Sequence, residues 1–146
     1  MENRRTFLGL AVASLLPIGP IGLDAQTSAQ TPAAPRGRGA TELARHALTG
    51  AFEGWDVVLV ELNMAPGQRP AAMGHRHPGP VLGYVVDGQV SFGINHQPAQ
   101  VVPTGGTFFE PFGAVHTTNA SASTTAPARG VVFMLVPKGS PLTAPE

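Results

Sequence analysis

The chain has 146 residues, enough for one domain and short for two, and its nine basic and nine acidic side chains leave a formal net charge of zero. Charged residues make up only 12% of it, which leaves no basic surface for nucleic acid and no acidic run for a cationic partner. Cysteine is absent, so disulfides and thiolate sites are excluded, and any metal must be held by histidine and oxygen ligands.

Residues 1–29 read as an export leader. Arg4 and Arg5 form a positive n-region, Phe7 to Leu23 is mostly apolar, and Ala25 and Ala29 offer small-residue cleavage points. Pro17, Gly19, Pro20 and Gly22 interrupt an apolar run already short for a span, so a removable signal is expected rather than a stable membrane anchor. The run RRTFLGL also resembles a twin-arginine signal, with paired arginines, one variable residue, then Phe-Leu; an ordinary secretory signal is the alternative. Either route predicts a periplasmic or secreted protein. Residues 30–44 read as a flexible linker, 45–139 as the folded domain and 140–146 as a C-terminal tail. Within this, Glu42 to Leu48 suits either a helical turn or an edge strand.

From Trp55 onward short apolar stretches recur between turn signals, and no helical periodicity or internal repeat is visible. WDVVLVEL (55–62) ends before Ala65-Pro66-Gly67, and VLGYVV (81–86) meets Asp87-Gly88, a dipeptide suited to a type I′ hairpin with QVSFGI (89–94) as its return strand. Further strands are expected in AQVV, TFFE and VVFMLV (131–136), with turns at 95–98, 104–106 and 137–139. Together with 18 glycines, 15 prolines and 42% hydrophobic residues, this predicts an all-β sandwich or small barrel around one core.

Five histidines are present. His75 and His77 lie two apart, so on a strand their imidazoles share a face and converge on one point. Pro78 biases His77 toward extended backbone, and Pro78-Gly79 suits the centre of a type II turn. In GGTFFEPFGAVHTTN, Pro111 and Gly113 fit positions i+1 and i+3 of a type I turn that delivers His116. His46 and His96 are expected to be solvated surface residues.

These two histidine turns resemble the cupin superfamily, whose motifs read G-x5-H-x-H-x3/4-E-x6-G and G-x5-P-x-G-x2-H-x3-N. The first is matched by His75, His77 and Gly88, with Arg69 at the initial glycine position; the second by Gly105, Pro111, Gly113 and His116, with Asn119 one residue early. The resemblance covers roughly Trp55 to Gly139 and implies a single-domain double-stranded β-helix with a metal in its mouth. It makes His75, His77 and His116 the candidate ligands of a divalent ion, and imidazole suits Zn, Fe, Mn, Ni and Cu alike. The family's glutamate position falls on Val81, which has no lone pair.

Three readings stay open at this point: a site of three histidines alone, a carboxylate or amide supplied from elsewhere (Glu110 first, then Gln68 and Glu61), or a metal-free pocket for an organic ligand. Three neutral imidazoles leave the ion's charge uncompensated and so more electrophilic, suited to an oxygenase or a lyase/isomerase acting on a small organic molecule. A non-catalytic small-ligand binding or sensing module is the rival. Strand parity turns Tyr84 away from the interior, whereas Met73, Phe92, Phe108, Phe109, Phe112 and Met134 are candidates for an apolar lining. Exposed strand edges and the family habit imply a homodimer.

Overall fold

In a computed structural model, which describes residues 39–68 and 74–146, the central strand is β9 (Ala128–Pro137). Its Ala128, Gly130, Val132, Met134 and Val136 point into the core, and the residues between them point outward. β2 (Trp55–Met64) and β4 (Val81–Asp87) flank it, each alternating in the same way through Val58 and Val60 and through Val81, Gly83 and Val85. β1 (Gly39–Ala47) and β7 (Thr107–Glu110) complete an antiparallel sheet in the order β1-β2-β9-β4-β7. The second antiparallel sheet runs β10-β3-β8-β5-β6, from β3 (His75–Arg76), β5 (Gln89–Ile94), β6 (Gln100–Pro103), β8 (Val115–Ser121) and β10 (Ala144–Pro145). Val90 and Phe92 of β5 meet the valines of the first sheet in one core. Full burial of each such side chain is worth about 1.5–3 kcal/mol, so these facing valines hold the sheets together. This is the expected double-stranded β-helix. Among the described residues the only helical element is a single 3₁₀ turn, Gly50–Phe52.

Several local expectations are corrected. Asp87-Gly88 does not close a hairpin: β4 is already paired on both edges by β9 and β7, and the chain passes at Gly88 (φ +72°) into the other sheet. The two consecutive positive φ angles that a type I′ turn needs fall instead at Asn95 (52°) and His96 (56°), between β5 and β6. Gly79 is not at positive φ; a Cβ there would meet the Leu135 carbonyl oxygen, so the glycine serves close approach to β9 rather than a type II turn. Gly79→Ala is therefore expected to cost about 2 kcal/mol of unfolding free energy by overpacking, read from urea melts. A parent-like midpoint would mean that the β9 backbone yields freely. The turn before His116 is closed by Ala114 N–H donating to the Pro111 carbonyl with Gly113 at φ +78°, which puts Pro111 at i and Gly113 at i+2 of a type II turn.

Ordered strand also extends beyond 45–139 on both sides. The segment Gly39 to Ala44 belongs to β1, because β2 offers it a free edge, and the tail supplies β10 against β3. The leader 1–29, Arg69 and Met73 lie outside the described residues.

Candidate metal centre

His75 stands on β3 directly opposite His116 on β8, the two being register partners across the antiparallel pair. His77 follows β3, and the three rings come together with centroids 4.8, 5.0 and 5.9 Å apart. One ring nitrogen from each lies within 4.8 Å of the other two. The two turns are tied to each other. The Arg76 guanidinium donates to the Gly113 carbonyl, and Asn95 exchanges hydrogen bonds with Val115 through its backbone N–H (2.8 Å) and side-chain oxygen (2.9 Å).

Hydrogen bonds to backbone set two of the tautomers. His77 Nδ1–H donates to the Leu142 carbonyl at 2.7 Å, which leaves Nε2 bare and facing inward. His116 Nε2–H donates to the Thr118 carbonyl at 3.0 Å, which leaves Nδ1 bare. Carbonyls that orient ligand imidazoles in this way are the usual outer layer of a histidine metal site.

Glu110 enters the same space. Its Oε1 is 3.2 Å from His116 Nδ1 and its Oε2 is 3.6 Å from His77 Nε2. Burial pushes its carboxyl up to about 7 and pushes His116 down to about 4, the latter helped by the neighbouring His75 and His77 rings. His75 and His77 are lowered by burial as well. Desolvation thus outweighs attraction, and the Glu110–His116 contact is neutral in the metal-free protein rather than an ion pair. Glu110 Oε2 and His116 Nδ1 are buried with no hydrogen-bond partner among the described residues. In the metal-free protein a proton shared between the carboxyl and the imidazole satisfies the Oε1–Nδ1 contact; with that proton released, both atoms present lone pairs, and a divalent ion fits this donor set of nitrogen and oxygen.

The cavity around the rings measures about 240 Å³, below the ~300–1,000 Å³ typical of drug-sized ligand pockets. Its wall is apolar, including Val60, Leu62, Val132 and Met134, and Val81 and Phe108 line it beside Glu110. Val81, at the motif's glutamate position, is buried, and Tyr84 is exposed as its parity relative to Val81 predicted. Phe92 packs behind the site, its ring 5.4 Å from His116. Phe109 is exposed instead, because β7 turns only Phe108 and Glu110 inward, and Phe112 is exposed in the turn that follows β7. Gln68 borders a separate surface pocket, and Glu61 lies outside the cavity, accepting a hydrogen bond from Asn63. His46 is exposed; His96 is exposed too and pairs with Glu146 at 2.9 Å.

Asn119 was obscured in the sequence by its early spacing. The register between β5 and β8 slips at Gly93/Ile94, so Thr117 is an extra residue in β8. Past this bulge the alternation shifts by one, and the inward residues Val90, Phe92 and Ile94 pair with Ser121, Asn119 and His116. Asn119 therefore lines the cavity, and its Oδ1 is buried without a hydrogen-bond partner among the described residues.

No protein-family model matches the sequence, and no curated protein matches it significantly. Solved structures do resemble it. The DMSP lyase DddQ from Ruegeria pomeroyi superposes with a TM-score of 0.50 at 18% identity over 60% of this chain and 42% of the lyase, so the chain spans less than half the length of that enzyme. A Klebsiella pneumoniae protein with a double-stranded β-helix domain gives 0.56 at 17% identity over 77% of this chain and 88% of its own. A cupin-like protein from Thermotoga maritima gives 0.53 at 20% identity over 73% and 74%. Likeness at these identities shows the fold.

Proposed function

We propose that this chain, which shares the double-stranded β-helix fold of its structural neighbours, is an exported, metal-dependent protein of the cupin kind acting on a small organic molecule, of the oxygenase or lyase/isomerase class. The observation that supports this most is the convergence of His75, His77 and His116, two of them fixed by backbone carbonyls with their bare nitrogens turned inward. A divalent ion held there supplies Lewis acidity to an oxygen function of the substrate. The chain's own groups do the rest. The apolar wall takes a hydrocarbon portion, Leu142 and Thr143 flank the cavity, and Asn119 Oδ1 accepts a hydrogen bond from a substrate hydroxyl or amine. The small volume limits the substrate to a compact molecule. Export is supported by Arg4-Arg5 and the apolar run to Leu23, and places the mature protein in the periplasm or outside the cell.

Metal analysis of the purified protein beside His116→Ala tests the site. Near-stoichiometric divalent metal is expected in the parent and traces in the variant, and equal traces in both would sink the reading. A screen of small acids, hydroxy acids and phenols with aerobic and anaerobic arms then separates the classes. Oxygen uptake marks an oxygenase and anaerobic product formation a lyase or isomerase. Saturable binding without turnover in the metal-loaded protein marks a binding module.

A further inference from the structure

We propose, on the metal-binding reading above, that Glu110 is the fourth protein ligand of the ion, the carboxylate absent at position 81 having been supplied from the neighbouring strand. Val81 and Glu110 are direct register partners across the antiparallel β4–β7 pair. Side chains so paired leave the sheet on the same face with Cβ atoms about 4.5–5.5 Å apart. Both are buried, at 1% and 2% exposure, and both line the histidine cavity. A carboxylate on β7 thus reaches the volume that one on β4 would have reached.

The distances fit shared coordination. Ligands about 2.1 Å from one ion, at tetrahedral or octahedral angles, lie about 3.0–3.4 Å from each other. Glu110 Oε1 stands 3.2 Å from the bare His116 Nδ1, and Oε2 3.6 Å from the inward His77 Nε2. These are the two nitrogens that their carbonyl partners leave as lone-pair donors. No lysine or arginine among the described residues pairs with Glu110; apart from the histidines, its register partner Val81 and the cavity residues Phe108 and Met134 are apolar. A carboxyl buried there with no fixed cation ionises fully only when a cation from solution joins it. The centre is then a three-histidine, one-carboxylate site, with one positive charge fewer to offset than three imidazoles alone would leave.

Cobalt(II) and zinc titrations of the full chain test this. The proteins are the parent, Glu110→Gln, His116→Ala and the exchange variant Val81→Glu/Glu110→Val, with folding checked by circular dichroism. Glu110→Gln is expected to weaken zinc binding by about 100-fold, at the upper end for perturbed metal surroundings, and to change the visible cobalt spectrum. The exchange variant is expected to recover affinity to within about tenfold of the parent, since the carboxylate re-enters from the paired position. Parent-like affinity and an unchanged cobalt spectrum in Glu110→Gln, with binding lost in His116→Ala, would overturn the role of Glu110 and leave the histidine site standing. Absence of binding in the parent would remove both.

Discussion

Stripped of metal by a chelator, Glu110→Gln should be more stable than the parent by about 3 kcal/mol at pH 8 and equal to it near pH 4. The sign follows from the carboxyl's displacement from 4.5 to about 7, caused by burial. A folded-state pKa raised above the unfolded value means that the folded protein holds its proton more tightly. Below 4.5 the group is protonated in both states and costs nothing extra. Between 4.5 and 7 the unfolded chain releases the proton first, and stability declines until the folded carboxyl has also ionised. At 1.36 kcal/mol per pH unit the full displacement amounts to about 3 kcal/mol, which glutamine, never ionised, does not suffer.

The histidines act in the opposite direction. Their lowered values mean that stability is lost as pH falls below 6.5, through about 4 for His116. That loss is common to both proteins and cancels in the difference. Urea denaturation at pH 4, 6 and 8 with chelator present measures it. A gap that does not change with pH, or a parent more stable at pH 8, would show that the carboxyl is not strained by its surroundings. With metal restored the order should invert, because the group that destabilises the empty fold is the one that holds the ion. Such local cost concentrated at one buried acid is what a functional site shows when the rest of the core is consistent.

The histidine triad was legible because each turn is a local signal: His-x-His before Pro78, and Pro111 to His116 around a glycine. Val81 was placed at the site by the family motif, and parity counted from it turned Tyr84 outward without knowledge of the sheet partners. What the sequence could not carry was pairing between distant strands. Glu110 was one of three candidates, together with Gln68 and Glu61, until the β4–β7 register set it beside Val81 and the other two fell elsewhere. The same limit produced the false hairpin at Asp87-Gly88, whose turn chemistry was sound but whose strands each had better partners in opposite sheets. Asn119 was hidden by a single bulge residue, Thr117, because a count of alternate positions assumes an unbroken ladder. Segment 140–146 carries too little pattern to announce a strand; two residues of β10 pair only because β3 is there to receive them.

Removal of that segment should weaken metal binding by about 10–100-fold while the fold persists. The Leu142 carbonyl accepts the His77 Nδ1–H, so its loss frees the ring to turn and to exchange tautomers. β10 pairs Ala144 with Arg76 and Pro145 with His75, and its loss also uncovers the edge of β3 that carries the first ligand. Leu142 and Thr143 line the cavity, so water gains access to the imidazoles. The fold should survive, because the fully buried residues Val58, Val60, Val81, Val85, Val90 and Val136 all lie outside the segment and Leu142 is only partly buried. Leu142→Ala separates the contributions. It keeps the carbonyl and the β10 pairing while trimming the apolar wall, and should bind metal within a few-fold of the parent. Zinc titration of both variants, with thermal melts of their metal-free forms, makes the comparison. Equal affinity in the truncated protein and the parent would mean that the Leu142 carbonyl does not orient His77. Matched losses in both variants would assign the effect to the leucine side chain instead. The expected result, affinity lost with the segment but kept with alanine, makes the backbone of the tail part of the metal centre.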